Sequence, residues 1–279
     1  MKLVVLSRAD PFARRVGEAL GPGDPTGIFV DGSRLRRITS DTYALERDSL
    51  HVHDEHLGHH LPPSLRCEID AVVFPSVHRS ETGRPTLTVH PVGNLSTKAD
   101  LGGRPGTVSP VPARYLTEAL LQLSTISQDF GIEATFEATH HGPYLDLPTL
   151  FLEAGSDPSV WDDPPLARAY ARLLKDLRPH RTREDQVVIG VGGGHYAPHF
   201  SEIARRHRVS FGHILPRHAL PEVTAGLMAH VVAATASVGG WMAAGTSLPS
   251  PVVLPPSLPR IRESGLPRRP AEEATYVSS

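Results

Sequence analysis

The residues best equipped for chemistry lie in two short stretches, "EATHHGP" at 137–143 and "GVGGGHYAPHF" at 190–200. The first sets Glu137 shortly ahead of the adjacent His140 and His141, and the second places His195 and Tyr196 directly after three glycines. Imidazoles and carboxylates at this density suit metal ligation or proton transfer near neutral pH. Strict strand alternation puts Glu137, Thr139 and His141 on one face and Ala138 and His140 on the other. The two histidines then ligate one metal together only if the strand ends first, as Gly142-Pro143 suggests. Glu153, inside the apolar "TLFLEAG" (149–155), adds a carboxylate that is costly to bury without a cation, a metal or a histidine.

The glycine run admits two readings. Bare backbone lets another group approach, so the amides of Gly192, Gly193 and Gly194 can serve a developing oxyanion with His195 at the rim. The alternative is a tight strand-to-helix turn with His195 merely hydrogen-bonded. Dinucleotide binding is disfavoured, because the helix opens at Pro198, after the glycines, and "SFGHILPRH" supplies His213 and His218 where an acidic residue belongs. "VHRSETGRPTLTVHPVGN" (77–94) contributes His78, Arg79, Ser80 and His90 around a turn, and Arg79 and Arg84 there suit a phosphate backbone. "HVHDEHLGHH" (51–60) has the density of a metal tract, yet its polar setting reads as solvated surface. His218 in "PRHALPE" is a further, weaker candidate.

The elements that must hold these residues follow from periodicity. "KLVVLS" (2–7), "AVVFPS" (71–76), "TLTVHPV" (86–92), "IEATFEA" (132–138), 149–155, "QVVIGV" (186–191) and "VSFGHIL" (209–215) read as strands. Helices are expected around 11–20, from Ser109-Pro110 through Ile126, from Asp163-Pro164 through Leu177, from Pro198, and over 223–237. Strands separated by helices predict an α/β fold with a mostly parallel or mixed central sheet flanked by helices. Ligands in such folds gather at loops leaving the carboxyl ends of strands, where the histidine-rich loops fall. Residues 1–245 are expected to form a single α/β catalytic domain. Residues 246–279, with seven prolines between Ser247 and Pro270, read as a partly disordered segment in which "RIRESGLPR" could dock.

Bulk properties narrow the class. The chain has 279 residues, is 39% hydrophobic and carries a net charge of −2, so a polyanionic partner would need a local basic patch. Three lysines out of 28 basic residues leave 25 arginines, a bias that also fits GC-rich coding. No apolar run nears the roughly 18 residues of a membrane span, and the start lacks the length of a secretory core. Cys67 is the single cysteine, which excludes a disulfide framework, fits a reducing cytoplasm, and is expected to be a core thiol.

Taken in order, 77–94, "EATHHGP", "FLEAGS" (151–156) with Trp161, "GVGGGHYAPHF" and "GHILPRHAL" (212–220) resemble the archaeal and plant type D-aminoacyl-tRNA deacylase family over roughly residues 1–240. The resemblance implies a monomeric cytoplasmic hydrolase of phosphorylase/peptidyl-tRNA hydrolase-like architecture, with no obligate protein partner. It implies cleavage of the ester between a D-amino acid and tRNA, zinc dependence, and a link to aldehyde-modified D-aminoacyl groups. The proline-rich ending and the 51–60 tract depart from the family pattern. With no Gly-x-Ser-x-Gly elbow in the chain, direct attack by water is expected. His140, His141, His195 and Glu137 are the expected catalytic groups. Gly192, Gly193, Gly194, Tyr196, His78, Arg79, Ser80 and His90 are expected to contact substrate, and His141, His195 and Glu153 to bind metal. Peptidyl-tRNA or other aminoacyl-ester hydrolysis, or tRNA binding without catalysis, stand as alternatives.

Overall fold

A computed structural model describes residues 1–80, 83–179, 186–235, 238–244 and 259–269. The N-terminal half contains β1 (Lys2–Ser7), α1 (Pro11–Leu20), β2 (Asp24–Val30), β3 (Ser33–Arg37), β4 (Thr42–Arg47), α2 (Leu57–His60), α3 (Pro63–Arg66) and β5 (Ala71–His78). Next come β6 (Thr86–Pro91), β7 (Gly93–Asn94), β8 (Thr107–Val108), α4 (Ala113–Phe130), β9 (Glu133–Phe136) and β10 (Thr149–Gly155). The chain continues through α5 (Pro158–Trp161), α6 (Pro164–Asp176), β11 (Gln186–Val191), α7 (Pro198–Arg206), β12 (Val209–Leu215), α8 (Ala225–Ala234) and β13 (Val238–Ala243).

Eight strands form one mixed sheet in the order β2-β3-β4-β1-β5-β10-β6-β9, and β12-β11-β13 form a second, all-parallel sheet. In the large sheet β5 and β10 run parallel while β6 is antiparallel to β10, so the expected α/β architecture with a mixed sheet is what forms. Opposite faces of β1, β5 and β10 feed different apolar clusters. Val4, Val73, Leu150 and Leu152 pack under α1, α4 and α6, and that cluster reaches Val188, Phe211 and Met242 of the second sheet. Leu3, Val5, Val72, Phe74, Val92 and Phe151 occupy the other face. Period-two side-chain alternation makes this division automatic.

Several expectations are corrected. Helix α4 opens at Ala113 after Pro112, not at Ser109-Pro110. The Ser109 hydroxyl instead accepts the Leu145 amide at 3.0 Å, and the Pro110 carbonyl accepts the Thr149 amide at 2.8 Å. Both groups are thereby committed to the turn before β10. Helix α8 ends at Ala234, and β13 follows where no strand was expected. Cys67 is exposed at the end of α3, not in the core. Within 51–60, His53, His56, His59 and His60 are exposed as expected, but His51 is buried. Its Nε2 accepts the Ser7 amide at 3.1 Å, and its ring lies edge-on to Phe74.

Residues 259–269 dock as the sequence suggested. Arg208 donates its amide to the Pro267 carbonyl at 2.8 Å, Arg269 donates to the Arg206 carbonyl at 3.0 Å, and Leu266 joins the large core. The disorder expected elsewhere in the proline-rich ending falls outside the described residues. Among the described residues no helix is long and apolar enough to cross a membrane.

Candidate active site

The face of β5, β10 and β6 that is apolar at Phe74 and Phe151 turns polar toward the carboxyl ends of β5 and β10. Register pairs Ser76 with Glu153, His78 with Gly155, and Phe151 with His90, so all these side chains share that face. Asp10 fixes the end of β5. Its carboxylate accepts the Val77 amide at 3.0 Å and the Ser76 hydroxyl at 3.1 Å, and it also caps α1 through the Ala13 amide at 2.8 Å. Sequence reading missed Asp10, although Asp before Pro11 is a visible N-cap signal.

Strand β9 brings the next side chains. It pairs with β6 so that Thr88 faces Thr135 and Val89 faces Phe136, and the Glu137 amide continues the ladder to the Val89 carbonyl at 3.1 Å. That register would set Thr139 against Val92, yet Val92 pairs with His140. One extra residue is therefore accommodated between Glu137 and His140, and such a bulge moves the following side chain to the opposite face. His140 thus lies on the same side as Glu137, contrary to strict alternation. His141 then leaves the strand at φ 42°, which turns its ring toward His90 and Phe151.

The bulge is held from behind. Thr139 Oγ1 lies 3.1 Å from His213 Nδ1 and accepts the Ile214 amide at 3.1 Å, while His213 Nε2 sits 3.0 Å from the Ser109 carbonyl. Burial pushes His213 down to about 3, so the ring is neutral. Nε2–H then donates to Ser109, and Nδ1 accepts from Thr139.

The second sheet delivers the last groups. The amide of Ala138 donates to the His195 carbonyl at 2.8 Å and that of Ala197 to the Phe136 carbonyl at 2.9 Å. The glycine loop is thus stitched to the segment after β9, and the rings of His140 and His195 stand with centroids 4.5 Å apart. Gly192 and Gly193 adopt φ of 101° and 85°, values open to glycine, before the chain enters α7. The Gly192 amide is already given to the Leu215 carbonyl at 2.8 Å, so it is not a donor for an oxyanion. Among the described residues the amides of Gly193 and Gly194 donate to no other group.

At the centre, His78 Nδ1 lies 3.1 Å from Glu153 Oε2 and 3.3 Å from Glu137 Oε1, and its Nε2 is 2.7 Å from the Tyr196 hydroxyl. Burial alone would lower the His78 pKa. The Glu153 hydrogen bond and the two carboxylate charges outweigh it and raise the group to about 10. His78 is therefore doubly protonated and donates from both ring nitrogens. Glu153 is held well below the usual carboxylate range; its own burial opposes this, and the hydrogen bond to His78 together with the nearby His90 and His141 imidazoles overcomes it.

His90 Nε2 is 3.8 Å from Glu153 Oε1, and the His90 ring stacks on Phe151. Burial, reinforced by neighbouring imidazoles, drives His140 far down and His141 to about 4, leaving both neutral. Glu137 is wholly buried, 3.4 Å from His195 Nε2 and 4.0 Å from His140 Nε2, and neither of its oxygens accepts a hydrogen bond among the described residues. The His195 side chain is 43% exposed and forms the open rim.

The expected residues are thus sorted by depth. Glu137, His140, His141, His195 and Tyr196 meet in one place. His78 and His90 are buried beneath it rather than on a substrate-facing rim. Arg79 is exposed beyond β5, Ser80 is half-buried beside it, and Arg84 pairs with Glu133 at 2.6 Å. His218 is exposed and joins none of the converging donor groups.

His141, His195 and Glu153 do not form one metal set. Donor atoms converge within 4.8 Å as His90/His140/His141, as Glu137/His140/His195 and as His78/Glu137/Glu153, and each group holds only one of those three. The all-histidine group fits zinc by donor chemistry, and His90 Nε2 is buried without a hydrogen-bond partner. Phe151 and Tyr170 escaped sequence reading. The first is the platform for His90 and His141, and the second donates its hydroxyl to the Glu153 carbonyl at 2.7 Å.

Fold and site together define an α/β protein with a histidine–carboxylate centre at the junction of two sheets. The chain belongs to the D-aminoacyl-tRNA deacylase family, whose profile matches residues 65–251. A D-aminoacyl-tRNA deacylase of Thermoplasma acidophilum is 34% identical over 218 residues, covering 78% of this chain and 80% of its own. One from Methanospirillum hungatei is 37% identical over 214 residues, covering 76% of this chain but 48% of its own, so the chain spans about half the length of that relative. A crystal structure described as a conserved protein of unknown function, AF0625, superposes with a TM-score of 0.79 at 26% identity, covering 90% of this chain and 88% of the other.

Proposed function

We propose that this chain hydrolyses the ester joining a D-amino acid to tRNA, releasing free D-amino acid and tRNA. The observation that carries the reading is Glu137, a buried carboxylate with two uncommitted oxygens between His140 and His195. A group so placed is suited to take a proton from an attacking water. His195, at the rim, can return a proton to the departing ribose oxygen. His78 gives its Nε2–H to Tyr196, so the Tyr196 O–H is left to point at substrate. The amides of Gly193 and Gly194 are available for the carbonyl oxygen as negative charge develops. Glu153 and His90 act from below by keeping His78 charged and the ring stack ordered.

Zinc fits His90, His140 and His141, and when bound there it would supply Lewis-acid polarisation and a lowered pKa for a bound water. Its binding requires His90 to give up the proton that the neighbouring Glu153 favours. The reading places the chain in the cytoplasm as a monomer with no obligate protein partner. Choice of D over L rests on fixed backbone around the substrate Cα.

Matched D-Tyr-, L-Tyr- and N-acetyl-L-Tyr-tRNA, each with and without chelator, test the proposal. Catalytic release of tRNA from the D-ester alone is expected. Preference for the N-acetyl ester moves the assignment to peptidyl-tRNA hydrolysis, and stoichiometric protection of the ester moves it to a binding protein.

A further inference from the structure

We propose that the groove between α7 and the docked 259–269 segment binds the phosphate backbone of the tRNA whose ester the site cleaves. The inference rests on the tRNA reading above and adds where the polynucleotide lies. Two adjoining hollows, of about 390 and 560 Å³, share Arg262 and Glu263 as lining residues. One reaches His199 and Ala243, and the other reaches His207 and Arg268. Arg260, Arg262 and Arg268 are all exposed, and Arg206 stands at the end of α7 with its side chain 62% exposed. The nearby carboxylates are engaged: Glu202 with Arg206 and Arg205, and Glu263 with His207 at 3.2 Å. Among the described residues no acidic group lies within ion-pair distance of Arg262 or Arg268. A chain of net charge −2 therefore concentrates cationic groups on one groove, which is the local patch a polyanion requires.

Continuity with the active site supplies the second argument. Two independent elements join them. His195 and Tyr196 at the rim lead through Ala197 directly into α7, whose first turn carries the exposed His199 of the groove. On the other side, Ala243 lines the groove, and the next residue, Ala244, donates its amide to Val191 beside the glycine loop. The groove then follows the nine-residue α7 for about 13 Å. An ester at the end of a nucleic acid strand can thus reach the histidines while the phosphates preceding it meet arginines, whose planar guanidinium suits them.

The test is binding of uncharged tRNA to the 279-residue chain, followed by fluorescence anisotropy over a salt series. Reversal of both free charges, Arg262→Glu with Arg268→Glu, is expected to weaken binding roughly tenfold or more and to flatten the salt dependence by about two counterions. The conservative pair Arg262→Lys with Arg268→Lys is expected to keep most of the affinity, which separates lost charge from lost folding. Unchanged affinity or salt slope in the reversed pair overturns the proposal, as does equal loss in the lysine pair. Because uncharged tRNA is the probe, wild-type protein that binds it through these arginines yet leaves D-aminoacyl esters intact would refute the hydrolase reading and leave the groove standing.

Discussion

Glu137 concentrates the chemistry at the scale of single residues. Replacing it with Gln keeps shape and volume but removes the proposed base, so kcat is expected to fall about 10²–10⁴-fold. No hydrogen bond to its oxygens is lost, but its charge also helps keep His78 protonated, so any loss of stability should grow as pH rises above 6.5. Single-turnover deacylation and a denaturant midpoint on the same sample check both halves. The titrating groups predict a pH profile for stability. His78 is raised to about 10, so its contribution is complete below the ordinary value of 6.5 and disappears as pH climbs toward 10. Glu153 is depressed, so its share is present above the unfolded carboxylate range and lost on acidification. These two describe one ion pair seen from either end and count once. His141 and His213, lowered by burial to about 4 and about 3, stabilise above 6.5 and oppose folding as pH falls below it. Metal-free protein should therefore be most stable near pH 6.5, and a midpoint that is flat from pH 4 to 10 would remove these protonation states.

Among the elements, the segment after β9 decides the site, because it joins both sheets within a few residues. Its bulge was not readable from "EATHHGP", whose alternation is intact on paper. The extra residue exists only relative to β6, a strand more than forty residues earlier in the chain. Gly142 ends the segment, and a Cβ there would collide with the backbone of Gly102 and Gly103. Gly142→Ala is accordingly expected to destabilise by about 1–3 kcal/mol through overpacking and to misplace His141. Chemical denaturation and deacylation should both register the change, and a neutral effect on both would show that the 101–103 loop yields freely. The glycine loop, by contrast, was legible as close-packed backbone with His195 at its rim. Which of its amides remains available depended on Leu215.

For the whole molecule, the three histidines of the all-imidazole set tie β6 to the strand end that bridges the sheets. Zinc bound there would stabilise the folded state by mass action, about 2.7 kcal/mol at a hundredfold excess over Kd. Saturating zinc should raise the Tm of chelated protein, and His90→Ala should abolish the rise. No change in Tm for the unsubstituted protein would leave histidines and Glu137 to act without metal. This readout needs no turnover, so it separates metal binding from catalysis.

The amino-acid sequence alone determined the α/β alternation, the strands bearing His90 and Glu153, and the motifs that mark the family. Each is a local matter of periodicity, turn residues and ordered short segments. Only the tertiary structure decided that His140 faces Glu137, that His141, His195 and Glu153 belong to different donor groups, and that His78 and His90 lie underneath. It also decided that Cys67 is exposed and that 259–269 builds an arginine-lined groove beside α7. These outcomes depend on register and contact between segments far apart in the chain, and a one-residue slip in such pairing reverses which side chains meet.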